Sequence, residues 1–184
     1  MYGLVNRAIE ELVVERAGRL AWEVAKRRAG VQVPSFVSMR AYPDQMSFDL
    51  VAAASHVLGI PVPEVLREFG RHWVLFTGGG AYGSLFRVAG SSVREVLQGL
   101  DGLHSRLSTS MPELLPPSVA VVGESAEGLR VRYESSREGL EAMMIGLIEG
   151  LGELFETPVE VEHVVSRAQG AEAEEFLVRF AKPD

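Results

Sequence analysis

Not one of the 184 residues is a cysteine. Disulfides, thiolate nucleophiles, cysteine-ligated zinc and iron–sulfur clusters are therefore excluded. Positive charge is also scarce: 18 Lys and Arg stand against 25 Asp and Glu, a formal net charge of −7. Such a chain has no surplus of cations to neutralise a phosphate backbone or an anionic bilayer, so no general affinity for nucleic acid or membrane surfaces is expected. No run of about 18 apolar residues occurs, and no membrane span is expected. The opening Met1 to Arg7 soon meets Glu10 and Glu11 without the apolar core of a signal peptide. A cytoplasmic setting is the expectation. Enzyme signatures are missing as well: there is no Walker loop, Ser/His/Asp motif or metal-hydrolase spacing. Gly78-Gly79-Gly80 lacks the Gly-Lys-Ser/Thr ending of a phosphate loop and reads as a helix stop.

Hydrophobic residues make up 47% of the chain and charged residues 23%, the balance of a globular protein. The length suits a single domain, or two closely packed lobes, around a sizeable core. Leu4, Val5, Ala8, Ile9, Leu12 and Val13 repeat at helical spacing, and a second helix is predicted over 19–28, before Gly30. After a connection containing Pro34 and Pro43, Ser47 precedes an apolar helical run over 50–58, and a further helix covers 64–76. From Ser91 or Ser92 a strong helix runs to about Ser108, with Val93, Val96, Leu97, Leu100, Leu103, His104 and Leu107 in one stripe. Pro112, Pro116 and Pro117 prevent its continuation. Strands are predicted over 119–122 and 129–133, joined around Gly123 to Gly128, then a helix over 138–155, then strands over 159–165 and 176–180. The predicted class is α+β: helices first, then a lobe with about four antiparallel strands.

Three features ask for a ligand. The first is His104 within the apolar stripe of its helix. Such a histidine is more often a core residue bonded to a carbonyl than a metal ligand. His56, His72 and His163 form no local pair with it, so zinc is not indicated; a single histidine suits a metal already held by a macrocycle, such as haem iron. The second is Tyr133-x-Ser135-x-Arg137, which in an extended segment presents two hydroxyls and a guanidinium to one target, as a pair of carboxylates would require. On these residues alone, a strand end followed by a helix cap is the commoner explanation. The third is the helix after Arg137, whose Gly139, Gly146, Gly150 and Gly152 imply close approach by something flat or by another backbone. Its Leu140, Met143, Met144, Leu147, Ile148 and Leu151 are suited to walling an apolar cavity.

Taken together, these features resemble the haem-nitric oxide/oxygen binding (H-NOX) family, which includes stand-alone bacterial proteins and the haem domain of the soluble guanylate cyclase β subunit. The resemblance runs through essentially the whole chain. It is carried by Met1-Tyr2-Gly3-Leu4-Val5-Asn6, by Asp49 to Ser55, by Leu100-Asp101-Gly102-Leu103-His104, by Pro116-Pro117 and by Tyr133-x-Ser135-x-Arg137 with Glu138-Gly139-Leu140 behind it. It implies haem b (iron protoporphyrin IX) as cofactor, with His104 as the proximal ligand to iron and Tyr133, Ser135 and Arg137 holding the propionates. Pro117 is implied to press on the porphyrin, with the adjacent Pro116 as the alternative. The implied organisation is one domain over 1–184, with a helical lobe over the distal haem face at about 1–60 and a proximal α+β lobe, carrying His104, at about 61–184.

The resemblance also implies a distal pocket of Val5, Ile9, Trp73, Met143 and Leu147. Met143 stands where oxygen-binding members of the family carry a tyrosine, and methionine has no donor. Tyr2, Tyr42 and Tyr82 lie elsewhere in this alignment, and Trp73 alone brings an N–H. Bound oxygen gains from a donor, whereas nitric oxide and carbon monoxide depend on one much less. The expectation is therefore a nitric oxide sensor, binding NO and CO but not O2 and not itself an enzyme. Release of His104 from iron would shift the domain and regulate a separate partner: a histidine kinase, a cyclic-di-GMP enzyme, a methyl-accepting protein or another signalling protein. The alternative with the same fold is a haem or tetrapyrrole carrier, or a gas-storage protein.

Overall fold

The computed structural model describes residues 1–79 and 88–180, so Gly80 and Tyr82 lie outside the described residues. Among the described residues, five α-helices and four strands follow in the order α1 (Gly3–Arg28), α2 (Asp44–Leu58), α3 (Val62–Gly79), α4 (Val93–Ser110), β1 (Ser118–Ser125), β2 (Gly128–Glu134), α5 (Glu141–Leu154), β3 (Val159–Val165) and β4 (Glu174–Phe180). The strands form one antiparallel sheet in the order β1-β2-β4-β3. The class is α+β, as the hydrophobic periodicity predicts.

Local chemistry accounts for most boundaries. The two helical segments predicted before Gly30 are both present, joined into α1 across a break at Gly18 (φ 83°, ψ 170°), a conformation that favours glycine. Ser47 lies inside α2 and does not cap it; its hydroxyl donates to Oδ1 of the fully buried Asn6 at 2.6 Å and ties α1 to α2. Ser92 caps α4 by accepting from the Glu95 amide at 3.2 Å, while the Glu95 carboxylate reaches back to the Ser91 amide at 2.8 Å. The helix predicted from Glu138 begins only at Glu141, because Gly139 takes a positive φ of 74°. The predicted turn between β1 and β2 is shorter than expected. Pairing continues past a bulge between Val121 and Gly123 to Ser125 and Gly128.

Two groups of buried side chains hold these elements. One joins α1, α2 and the first half of α3, through Ile9, Leu12, Trp22, Leu50 and Phe69, with Leu140. The other joins α4, the sheet and α5, through Val96, Leu97, Leu129, Val131, Ile148 and Phe176, with Val74 of α3. Helices α3 and α5 therefore run through both groups, and they meet backbone to backbone. A Cβ added at Gly146 would lie 1.9 Å from the Arg67 carbonyl oxygen, and one added at Gly70 would lie 2.2 Å from that of Met143. The neighbour that Gly146 and Gly150 require is thus the α3 backbone, at Arg67 and Arg71, whereas Gly152 is set against Thr157 and Val159 and Gly139 against nothing within 4 Å. Among the described residues, no single helix is long and apolar enough to cross a membrane.

Candidate functional site

His104 lies half-buried on α4, and its Nδ1 is 2.9 Å from the carbonyl oxygen of Pro117. A carbonyl only accepts, so Nδ1 carries the proton and donates it. Nε2 is then left with its lone pair, the arrangement in which a histidine ligates a metal while its other nitrogen fixes the ring. Burial is the largest influence on the imidazole and pushes its pKa below 6.5, against the opposing effects of the Pro117 carbonyl and Asp101. The neutral, ligating form is therefore favoured.

The helix carrying His104 is pinned to the start of β1 by Asp101, one turn earlier. Its carboxylate accepts from the Ser118 hydroxyl and from the Val119 amide, each at 2.8 Å. Three successive residues, Pro117, Ser118 and Val119, are thus tied to one face of α4. In the sequence Asp101 is legible only as part of the Leu100 to His104 motif, with no role of its own. The signal that would have found it is the spacing of three to the histidine, which places both side chains on the same helix face.

Tyr133, Ser135 and Arg137 come together, though not as one extended face. Strand β2 stops at Glu134, and Tyr133 points inward with Leu129 and Val131. Ser135 then makes a local turn in which its Oγ accepts from the Arg137 amide at 3.0 Å, and this folds the arginine back. Burial raises the Tyr133 phenol above its usual pKa of 10, against the opposing influence of Ser135 and Arg137, so the phenol keeps its proton and can donate. Arg137 is largely buried. Its Nε donates to Asp44 Oδ2 at 2.7 Å and a terminal nitrogen donates to the Leu115 carbonyl at 2.6 Å. Its other terminal nitrogen has no hydrogen bond among the described residues.

Asp44 also pairs with the chain's α-amine, which in turn donates to the Tyr42 carbonyl at 2.7 Å. Burial alone would raise its pKa, but the hydrogen bonds from the α-amine and Arg137 outweigh it and hold the carboxyl below 3.8. Two cations, the α-amine and Arg137, thus face one carboxylate. Neither Asp44 nor the Leu115 carbonyl is legible as a site group in the sequence, because both reach Arg137 from elements distant along the chain. The segment 115–117 serves both halves of the site, since the Leu115 carbonyl meets Arg137 and the Pro117 carbonyl meets His104.

The five residues expected in the distal pocket come from three helices. Val5 and Ile9 are on α1, Trp73 on α3, and Met143 and Leu147 on α5. Ile9 is buried, whereas Val5, Trp73, Met143 and Leu147 keep part of their surface exposed. The first four pack on the α1–α2–α3 group of side chains and Leu147 on the sheet-side group. Trp73 lies in a row with Phe69 and Phe76, at ring-centroid distances of 6.2 Å and 6.5 Å. The donor set fits haem: one neutral imidazole for iron, two hydroxyls and an arginine with an uncommitted nitrogen for two carboxylates, and apolar side chains for the remainder.

A profile of the haem-NO-binding family (HNOB) matches residues 2–163. The soluble guanylate cyclase gcy-31 of Caenorhabditis elegans is 32% identical over 163 residues, which is 88% of this chain but 23% of that protein. The guanylate cyclase soluble subunit beta-2 of Rattus norvegicus is 32% identical over 121 residues, covering 62% of this chain and 18% of its own length. The chain thus spans about a quarter or less of the curated relatives it matches. Among solved structures, an H-NOX protein from S. oneidensis in the Fe(II)NO ligation state superimposes with a TM-score of 0.86 at 20% identity, covering 99% of this chain and 100% of that one. An oxygen-binding H-NOX domain related to soluble guanylate cyclases, in its oxygen complex, gives 0.82 at 21% identity, covering 100% and 96%. Both share the fold, so the fold does not separate the two gases.

Proposed function

The chain belongs to the haem-NO-binding family, and from that premise we propose that it is a nitric oxide sensor holding haem b on His104. The observation that carries this reading is the His104 imidazole, whose Nδ1–H is committed to Pro117 and whose Nε2 remains for iron. Tyr133, Ser135 and Arg137 would hold the propionates, and Pro117, fixed through its own carbonyl, would bear on the porphyrin. Haem bound here supplies the iron that takes up the gas.

The protein's own residues decide which gas is kept. Of the five, only Trp73 carries a donor, its indole N–H; where that N–H does not reach the gas, Val5, Ile9, Met143 and Leu147 offer none. An apolar pocket of this kind leaves bound oxygen without the partner it needs and costs nitric oxide little. The two ties of α4 to the start of β1 supply the element to be switched. Were His104 to bind and release haem iron, its Nδ1–H bond to Pro117 would pass a displacement of the ring to β1 and the sheet. The output would be a signalling partner, fused or separate, such as a histidine kinase, a cyclic-di-GMP enzyme or a cyclase. The cyclase relatives, several times longer than this matched region, favour a sensor that acts through other parts of an assembly.

The test is the absorption spectrum of haem-loaded, reduced protein under argon, in air and with NO. The expected results are a five-coordinate histidyl spectrum, no change in air over the time of measurement, and conversion by NO to a five-coordinate nitrosyl. A stable oxygen complex in air would overturn the gas selectivity. Absence of a Soret band would overturn the haem reading.

A further inference from the structure

We infer that Arg167, in the turn between β3 and β4, is a positioning residue for the propionate cradle, acting through the main chain of Ser135. This rests on the haem reading above. A guanidinium nitrogen of Arg167 donates to the Ser135 carbonyl at 3.1 Å, across 32 residues of sequence. Ser135 sits just past the end of β2, where the sheet ladder no longer serves its carbonyl. Its side chain is committed in the other direction, to the Arg137 amide. Arg167 therefore closes the remaining freedom of the peptide that carries one cradle hydroxyl and lies between the other two cradle residues.

Arg167 is itself held. The turn is a short 3-10 segment, Arg167–Gln169, capped by the Ser166 hydroxyl and ended by Gly170 at φ 93°. The Arg167 amide donates to Oε2 of Glu174 at 3.2 Å. Glu174 is the one buried charged residue among the described residues, 8% exposed, and it stands opposite Tyr133 in the β2–β4 pairing. The same oxygen lies 2.7 Å from Nε2 of His163, whose ring stacks on the buried Phe176 at 4.9 Å. A carboxylate buried in a strand is costly unless fully partnered. Here the carboxylate ties the Arg167 turn to His163, while the Glu174 backbone pairs opposite Tyr133. The Arg167–Glu138 contact, at 3.8 Å to a largely exposed carboxylate, adds little.

The test compares haem with haem dimethyl ester, which lacks the propionate charges, on the wild-type chain, Arg167→Ala, Arg167→Lys and Arg137→Ala. The readouts are the rate of loss to an apo-globin scavenger and the melting temperature of the apoprotein. Removing support of this kind should speed haem loss by about tenfold, with the apoprotein melting temperature nearly unchanged and Arg167→Lys restoring part of the effect. Loss of the dimethyl ester should be the same with and without Arg167. Haem loss at the wild-type rate, or equal acceleration for both porphyrins, overturns the proposal. If Arg167→Ala fails to fold, Arg167→Gln carries the same comparison. Arg137→Ala reports on the underlying reading: if it too fails to discriminate haem from the ester, the propionate cradle itself is wrong, and not merely its support.

Discussion

The α4–β1 junction and the α3–α5 seam both position parts of the candidate site, by opposite means. At the junction, directional bonds do it: His104 to Pro117, Asp101 to Ser118 and Val119, and Arg137 to Leu115 and Asp44. At the seam, side chains have been removed so that two backbones touch, with Gly70, Gly146 and Gly150 in the contact. Bonds of the first kind place individual atoms and can be remade in a second arrangement. Packing of the second kind fixes a shape and leaves no polar group behind. Under the proposed function, the difference lets the helix pair wall an apolar pocket while the polar network would hold the haem and be free to rearrange.

The harshest test of this contrast is Gly146→Ala. The new methyl would lie 1.9 Å from the Arg67 carbonyl oxygen, which is backbone and cannot turn aside. A loss of about 3 kcal/mol in urea unfolding of the apoprotein is expected, at the upper end of overpacking costs. A loss below about 1 kcal/mol would mean that the seam yields, and the contrast would fail. Asp101→Ala comes next, at about 2 kcal/mol, because two hydrogen bonds to a charged group are lost and the Val119 amide loses its acceptor. Asp101→Asn should lose less, since its amide oxygen can keep one of the two. Equal losses for the two variants would show that the geometry at this carboxylate is not what holds the junction.

Met143→Tyr sharpens the comparison in another way, by placing a donor on the apolar side. A hydroxyl reaching bound oxygen is worth about 1 kcal/mol, or roughly five- to tenfold in oxygen dissociation rate. Stopped-flow mixing of the oxygenated variant with a scavenger measures it. If the wild-type chain already holds oxygen as tightly as the variant, then Trp73 is supplying the bond, and the distal side is less apolar than its residues suggest.

The same contrast explains what was legible in the sequence. Helix and strand positions follow from apolar periodicity and from local punctuation such as Ser92 and Gly59, so α3, α4 and the sheet are readable to within a few residues, whereas α2 begins at Asp44, well before the apolar run at Leu50. His104, Tyr133, Ser135 and Arg137 stand out because their chemistry is local and their spacing matches a family motif. What was not legible is non-local. No periodicity announces that Asp44 meets Arg137 across 93 residues, or that Arg167 meets Ser135 across 32. The α5 glycines were readable as a sign of close approach, but the approaching partner was not, because a flat ligand and a second backbone leave the same trace in one helix.

The smallest effect concerns the charge balance at Asp44. Its folded-state pKa lies below 3.8, so the unfolded chain binds the proton more readily at acidic pH. The stabilisation from its two cationic partners is therefore complete above about pH 4 to 5 and is lost as pH falls through the lower folded value. Asp44 is 39% exposed at its side chain, so screening keeps the gain below about 1 kcal/mol. Apoprotein melting temperatures of the wild type and Asp44→Asn, from pH 7 to pH 3, should differ by a few degrees at the neutral end and converge at the acid end. High salt should narrow the neutral-pH gap, because surface-accessible charge pairs are screened. A gap that persists at pH 3 would assign the Asp44 contribution to hydrogen-bond geometry, as at Asp101, and would remove charge from the account of how the cradle is held.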